Sequence, residues 1–218
     1  MYKMNESVRK ELEMMLAHFP DLTDCKNAVQ EAFELMWDCY CKKGLIMTCG
    51  NGGSAADAEH IVGELMKGFK LKRCLTKEQI QKLNQYFPED APYLSAHLQQ
   101  AIPAISLVSQ TSLSTAFVND VHADMVFAQQ VLAYGKEGDV LIAISTSGNS
   151  KNVVNACKVA KSLSVRTIGL TGNHGGILRE ICDVLINVPA HEVFRIQEYH
   201  LPVYHTLCAM MEKAAFRD

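Results

Sequence analysis

The sequence of 218 residues lacks the features that mark several large classes of protein. It has no excess of basic residues, since 21 Lys and Arg stand against 24 Asp and Glu and the formal net charge is −3. Binding of nucleic acid or membranes through bulk positive charge is therefore not expected, although a local basic patch stays open. No run approaches 18 apolar residues, so we expect no transmembrane helix. The first residues contain no apolar signal-peptide core, which makes the cytosol the expected compartment.

The sequence also lacks any Cys-x-x-Cys pair, although it contains eight cysteines. A cysteine-based zinc knuckle is therefore not expected, and in the cytosol the thiols should stay reduced. Hydrophobic residues make up 48% and charged residues 21%, as in ordinary globular proteins. A chain of this length can bury a core without disulfides. We therefore expect one domain over residues 1–218.

The chain has two parts with different patterns of apolar residues. Residues 1–43 have apolar residues at helical spacing, with a break at residues 20–24, and predict N-terminal helices. From residue 45 onward, short apolar runs alternate with helical patterns, which predicts an α/β fold with a parallel sheet covered on both faces. The predicted strands are 45–49, 102–108, 139–144, 165–170 and 183–188.

Residues 71–100 fit this alternation poorly. Thr76 is placed as the N-cap of a short helix, and the proline-rich stretch 88–92 predicts a loop. We interpret 71–100 as a helix and loop insert between the first two strands.

Two loops at strand ends have the composition of phosphate-binding loops. Residues 50–54, Gly-Asn-Gly-Gly-Ser, follow the first strand and open a helix, where free N–H groups favour an anion. The loop is neither Gly-x-Gly-x-x-Gly nor a Walker loop, so nucleotide binding is not supported. Residues 145–150, Ser-Thr-Ser-Gly-Asn-Ser, offer four hydroxyls and no lysine, which suits one phosphate monoester. An N-cap turn that binds no ligand is the alternative.

A histidine and a glutamate lie four residues apart on the helix after the glycine loop. His60 and Glu64 share one helix face, which is a spacing suited to two ligands of one metal ion but also common by chance. The last predicted helix carries Gln197 and His205, eight residues apart on a broad common face, whereas His200 points elsewhere. Spacing alone does not identify Gln197 as a ligand.

These motifs together resemble the sedoheptulose-7-phosphate isomerases, also called phosphoheptose isomerases, of the sugar isomerase (SIS) domain superfamily. The resemblance covers nearly the whole chain except residues 71–100. It is carried by residues 49–54, Asp57, His60, Glu64, 119–120, 137–139, 144–150, 195–198 and His205.

The resemblance implies a three-layer α/β sandwich with a five-stranded parallel sheet. It also implies a homotetramer whose active sites lie at subunit interfaces, acting on a sugar phosphate. It further implies a Zn²⁺ ion held by His60, Glu64, Gln197 and His205. The residues expected to bind the substrate are Asn51, Gly52, Gly53, Ser54, Asn119, Asp120, Ser145, Thr146, Ser147, Ser150 and Gln197.

The reaction of this family is an aldose–ketose isomerisation, which moves a proton between C1 and C2 through an enediol(ate). Such a reaction needs a base, an acid and stabilisation of a developing oxyanion. Glu64 is the expected base and His205 the expected acid, while zinc would polarise the substrate oxygens. Cys49 is interpreted as structural, because isomerisation needs no covalent intermediate.

Two departures leave the sugar open. Phe194 stands where the family often has an acidic residue, and the 71–100 segment is longer than expected and could be a lid or a subunit contact. The alternative function is a non-catalytic SIS module that senses a phosphosugar or binds a protein partner. A transcriptional regulator is a poorer interpretation, because no helix-turn-helix segment precedes the sheet. His174 and His191, near strand ends, stay open as substrate contacts.

Overall fold

A computed structural model describes residues 4–216 and has three layers. Five parallel strands form one sheet in the order β2-β1-β3-β4-β5, with helices on both faces. The strands are β1 Ile46–Cys49, β2 Ala104–Ser106, β3 Val140–Ile144, β4 Arg166–Thr171 and β5 Val184–Asn187. The helices are α1 Glu6–His18, α2 Lys26–Cys41, α3 Gly53–Met66, α4 Lys77–Tyr86, α5 Ala91–His97, α6 Thr111–Asp120, α7 Val126–Tyr134, α8 Lys151–Ser162, α9 Leu178–Ile181 and α10 Val193–Ala215. The predicted five-stranded parallel sheet is confirmed.

The strand order creates a crevice at the carboxyl edge of the sheet. The chain leaves β1 for β2 on one side and then crosses to β3 on the other side. Open parallel sheets bind their ligands at such a reversal point, outside the carboxyl ends of the strands. The loops that follow β1 and β3 are the two loops with phosphate-binding composition, so both border the same crevice.

Alternate residues of each strand face two separate hydrophobic cores. Ile46 and Ile142 pack among α1, α2, α3 and α10 on one face. Met47 and Leu141 pack against α7 and α8 on the other face. Burial on both faces explains why the strands read as continuous apolar runs in the sequence. No helix within residues 4–216 is long and apolar enough to cross a bilayer.

The segment 71–100 forms two helices, α4 and α5. Thr76 caps α4 as predicted, since its hydroxyl accepts from Gln79 N at 3.2 Å and Gln79 Oε1 accepts from Thr76 N at 2.8 Å. The prediction that 88–92 is a loop is wrong at its end, because Ala91 and Pro92 begin α5. Proline is tolerated in the first helical turn, where its missing N–H has no helical partner.

His200 is fully buried in the middle of α10. Neither of its ring nitrogens has a hydrogen bond of standard geometry within residues 4–216. Burial lowers the pKa of His200 from 6.5 to about 4, and the nearby backbone of Thr171 offsets this only in part. The ring is therefore neutral in the folded protein over most of the acidic range.

This burial predicts a loss of stability in mild acid. The unfolded chain binds a proton at His200 below pH 6.5 and the folded chain only near pH 4, so stability falls as the pH is lowered between these values. The expected contribution is about 3 kcal/mol, at 1.36 kcal/mol per pKa unit. Urea unfolding at pH 7.5 and 4.5 measures it. His200→Leu should remove this part of the pH dependence, and an unchanged dependence in that variant would contradict the assignment.

Candidate active site

The loop after β1 leads directly into α3 and uses its glycines for close contacts. Gly52 adopts a positive φ of 56°, and Gly53 is the first residue of α3. Ser54 N donates to Asn51 O at 3.0 Å. The side chain of Ser54 is buried, so a ligand at this loop meets the backbone and the exposed Asn51 rather than the Ser54 hydroxyl.

The serine at the N-cap position of the loop after β3 does not cap helix α8 with its side chain. Ser150 is the N-cap residue of α8, but its side chain makes no capping hydrogen bond and instead contacts Ser145 Oγ at 3.0 Å. Ser147 is exposed and Thr146 is half-buried. In an ordinary N-cap turn a hydroxyl oxygen accepts a hydrogen bond from a backbone N–H of the first helical turn. That bond is absent here, so this geometry favours an external anion at the α8 N-terminus.

Hydrogen bonds tie the two loops into one rim. Asn51 and Asn152 exchange amide hydrogen bonds, Nδ2 to Oδ1, of 2.9 and 2.8 Å. Gly148 has a positive φ of 68° and packs so closely on the next loop that an added Cβ would lie 1.9 Å from Gly175 O. These contacts join the glycine loop, residues 145–150 and the loop after β4 into one continuous surface, here called the rim.

A second group of side chains, here called the cluster, consists of His60, Glu64 and His205, which meet although His205 is far from the other two in the sequence. His60 Nε2 lies 3.2 Å from Glu64 Oε1 on α3 and 3.4 Å from His205 Nε2 on α10. The two imidazole ring centroids are 4.9 Å apart. The Glu64 side chain is 12% exposed and that of His60 42% exposed. The cluster is thus partly desolvated but open to a small molecule.

A buried tyrosine and an aspartate orient the His60 ring, and their role was not predicted. Tyr204 Oη donates to Asp57 Oδ1 at 3.3 Å and lies 3.0 Å from His60 Nδ1. Because the hydroxyl proton is used toward Asp57, His60 Nδ1 carries a proton and donates it to Tyr204. Nε2 of His60 donates to Glu64 Oε1 when the ring is protonated, and offers a lone pair to a metal ion when only Nδ1 carries a proton. Such carboxylate-linked orientation of a histidine is typical of metal ligands.

Charges around the cluster set its protonation. Burial raises the pKa of Glu64, but hydrogen bonds and charge from Lys67 and His60 outweigh this, so the net pKa lies below the ordinary value. Lys67 Nζ is 2.8 Å from Glu64 Oε2. Burial lowers the pKa of His205, and neighbouring His60 lowers it further, against an opposing effect of Glu64. Near neutral pH the cluster therefore offers a carboxylate at Glu64 and a neutral imidazole at His205.

Gln197, in the second turn of α10, lies against the glycine loop. Its amide lies so close to Gly53 that an added Cβ there would be 2.4 Å from Gln197 Nε2. The structure thus places Gln197 against the N-terminus of the helix that carries His60 and Glu64. Within residues 4–216 no hydrogen bond joins Gln197 to His60, Glu64 or His205, so its role as a ligand stays a prediction.

Other predicted contacts are not joined to this cluster. Asn119 and Asp120 end α6, are exposed, and bond to each other at 2.7 Å; within residues 4–216 no other side-chain hydrogen bond involves them. Phe194 is 57% exposed. His174 and His191 are exposed, and their rings lie 5.0 Å apart between centroids, tilted by 55°, near the ends of β4 and β5. Their role stays a prediction.

The cluster fits zinc by donor type and by two spacings. A tetrahedral zinc with bonds of about 2.0–2.1 Å separates neighbouring donor atoms by about 3.3 Å. The distances from His60 Nε2, 3.2 Å to Glu64 and 3.4 Å to His205, both match this value. Across residues 4–216, however, no three His, Cys, Asp or Glu side chains meet the geometry of a complete metal site. The observed pairs are therefore a partial set.

Comparison with known proteins agrees with the motifs. Residues 15–89 and 93–172 match the SIS domain family. Phosphoheptose isomerase of Rhodospirillum rubrum is 38% identical over 97% of this chain and 98% of its own. That of Campylobacter jejuni is 39% identical over 86% of this chain and 87% of its own.

Solved structures of the same family share the fold. Phosphoheptose isomerase from Neisseria gonorrhoeae superposes with a TM-score of 0.66 at 36% identity, covering 90% of this chain and 96% of that one. The protein from Francisella tularensis gives a TM-score of 0.71 at 28% identity, covering 93% and 98%. The chain therefore belongs to the phosphoheptose isomerase family of SIS-domain proteins.

Proposed function

We propose that this chain converts sedoheptulose 7-phosphate to D-glycero-D-manno-heptose 7-phosphate with the help of a bound zinc ion. Membership in the family makes the chain a sugar-phosphate isomerase, and its relatives carry the name phosphoheptose isomerase. One observation supports the catalytic proposal most strongly. A carboxylate oxygen of Glu64 and Nε2 of His205 lie 3.2 and 3.4 Å from His60 Nε2, and the helix that carries Glu64 begins at the glycine loop.

The phosphate end of the substrate is proposed to bind at residues 145–150. The hydroxyl of Thr146, that of Ser147, whose oxygen accepts from Asn149 N at 3.2 Å but whose proton is available, and the N-terminus of α8 supply donors for a monoester. Binding energy gained at this end of the sugar orients the distant reacting carbons. Asn51 of the glycine loop is hydrogen-bonded to Asn152 of α8, and the glycine loop leads into α3, which carries His60 and Glu64.

Glu64 is proposed as the base and His205 as the acid. Glu64 takes the proton from C1 of the ketose, forms an enediol(ate), and returns the proton to C2. His205 gives a proton to the oxygen on C2 and receives the proton of the oxygen on C1. With Nε2 of His205 directed at His60, its Nδ1 is the nitrogen left for this exchange.

Zinc is proposed to be held by His60, Glu64, Gln197 and His205, where it would polarise the substrate oxygens and stabilise negative charge on them. The tautomer that Tyr204 imposes on His60 supports this proposal, because it directs a lone pair into the cluster. The contact between Nε2 of His60 and Nε2 of His205 supports the proposal as well. Only one of these two nitrogens can carry a proton in the contact, so the other presents a lone pair.

A cytosolic homotetramer with shared active sites is part of the same proposal. Helix α6, which carries Asn119 and Asp120, buries none of its residues within the described chain. Val118 and Val121 on its outer side are 53% and 63% exposed. Exposed apolar side chains of this kind are typical of a subunit contact, and such a contact would bring α6 of one subunit to a site.

The decisive experiment incubates the purified protein with sedoheptulose 7-phosphate and follows the aldose product, with zinc measured on the same sample. Turnover with close to one zinc per subunit is expected. Tight binding of the sugar phosphate without turnover would instead favour the non-catalytic SIS module. Turnover of other ketose phosphates at higher kcat/KM would move the proposal to another sugar.

Gly53→Ala tests the proposed ligand role of Gln197 without substituting Gln197 itself. The added methyl group collides with the end of a flexible side chain, and alanine is a better helix former than glycine, so Tm should stay unchanged or rise. Displacement of the Gln197 amide should weaken zinc binding by about 10–100-fold, the range seen when ligand support is lost. Chelator competition measures this affinity. Gly63→Ala, where the new methyl group meets nothing within 4 Å, is the matched control.

A further inference from the structure

A fully buried ion pair bridges the two helices that carry the reacting side chains. Arg73 follows α3 and Glu212 lies on α10, and both side chains are 0% exposed. Arg73 Nε donates to Glu212 Oε1 at 2.8 Å, and the guanidinium stacks on Phe216 at 4.7 Å from the ring centroid. Neither residue takes part in the proposed chemistry.

The arginine closes the end of α3. Its Nη1 donates to Leu65 O at 2.6 Å and its Nη2 to Glu64 O at 3.0 Å. These are carbonyls of the last helical turn, which have no partner within a helix. A cation at this end also opposes the negative pole of the helix. The backbone of Glu64, the proposed base, is therefore held directly by Arg73.

The glutamate holds the segment that leaves α3. Glu212 Oε1 accepts from Phe69 N at 2.8 Å, and Oε2 accepts from Lys70 N at 2.7 Å and Leu71 N at 3.1 Å. The Phe69 ring in turn packs against His205, with centroids 5.4 Å apart. One carboxylate thus fixes the backbone of a residue that contacts the proposed acid.

The position of Glu212 on its helix places it in line with His205. The two are seven residues apart, which is about two turns and nearly the same face of α10. The pair therefore connects α3 just behind Glu64 to α10 two turns beyond His205. It spans the same two helices as the 3.4 Å contact between His60 and His205.

Stability alone does not explain such a pair. Removing two charges from water costs several kcal/mol per ion, and apolar residues of similar volume often serve a fold equally well. An arginine fork that meets one carboxylate and two carbonyls fixes distance and angle, which an apolar contact does not. Catalytic groups on different elements need placement within about 0.5 Å.

We propose that Arg73 and Glu212 are positioning residues that set the separation of Glu64 and His205 and so support turnover. This inference rests on the proposed isomerase function. Both residues act through the backbone of α3 and the 69–71 segment, and neither touches the substrate. Loss of their geometry should therefore lower kcat while leaving phosphate binding at 145–150 unchanged.

The test compares Arg73→Lys and Glu212→Gln with Asp139→Asn. Asp139 is also fully buried, accepts from Leu45 N at 2.8 Å and pairs with Lys136, but it lies at the opposite, amino edge of the sheet. All three variants should lose thermal stability. Only the first two should lose kcat, by about 10–100-fold as misplacement of about 1 Å does, with KM within about threefold. Their zinc affinity, measured by chelator competition, should fall as well.

Phe216→Leu keeps the test valid if the charge variants do not fold. It removes the ring beneath the guanidinium without leaving a buried charge unpaired, and a fall in kcat and in zinc affinity larger than in Asp139→Asn is expected. Wild-type kcat and zinc affinity in every folded variant, with only Tm reduced, would overturn the proposal. Absence of turnover in the wild type would refute the isomerase instead, and zinc affinity would still test the positioning.

Discussion

Glu64→Gln should reduce kcat by about 10²–10⁴-fold, the range that a positioned proton-transfer group contributes. Contacts with His60 and Lys67 keep the pKa of Glu64 below the ordinary value, so the carboxylate is ionised near neutral pH and is available to accept a proton. The amide keeps the size and one oxygen of the side chain but does not accept a proton. Steady-state kinetics on the ketose phosphate measures the loss, and binding of the sugar phosphate should persist.

Glu59→Gln is the matched control for this variant. Glu59 lies on the same helix and is exposed, and its carboxylate accepts from Ser109 Oγ at 2.8 Å on the side away from the cluster residues. Its kcat should match that of the wild type. Turnover retained in Glu64→Gln would remove Glu64 from the role of base. Loss of zinc in the same sample would assign Glu64 a ligand role that the kinetics cannot separate from proton transfer.

The sequence predicted the sheet because burial on both faces leaves a strong pattern. Continuous apolar runs such as 140–144 exist only where both strand faces are covered, so each strand was recognisable and ends within three residues of its predicted limits. The helices α6 and α7, which connect β2 to β3, were not predicted. α6 buries no residue in the described chain, so it lacks the apolar stripe by which a helix is recognised.

The cluster could be predicted in part because helical spacing is local. His60 and Glu64 stand four residues apart, and that spacing alone puts them on one face. The approach of His205 to His60 across 145 residues depends on how α10 packs on α3, which only the family resemblance supplied. Asp57 was quoted as part of a motif, but its link to Tyr204 required the two helices to be in contact.

The buried pair Arg73–Glu212 shows what a sequence does not reveal. An arginine such as Arg73, which follows Lys72, is ordinarily expected to be exposed to solvent. Its burial follows from a partner 139 positions away and from carbonyls at the end of α3. The same long-range packing placed Gln197 against Gly53, which spacing along α10 did not predict.

Removal of zinc should abolish activity, and readdition should restore it. The proposed ligands come from α3 and α10, so chelation should also lower Tm by removing a link between the two helices. Activity after dialysis against a chelator, with and without added Zn²⁺, measures the first effect. Full activity at less than about 0.2 zinc per subunit would contradict the role of the metal as Lewis acid.

The variant His60→Asn tests the zinc prediction most directly. The substitution removes the nitrogen that approaches both Glu64 and His205, and zinc affinity should fall by more than the roughly 10–100-fold typical of losing only an outer partner. His97→Asn, an exposed histidine on α5 whose ring contacts Tyr93 O, is the control and should keep both zinc and activity. Tyr204 contacts Nδ1 of His60, so Tyr204→Phe removes a partner that orients the ring but keeps the ligand nitrogen. Its zinc affinity should therefore lie between those of His60→Asn and His97→Asn.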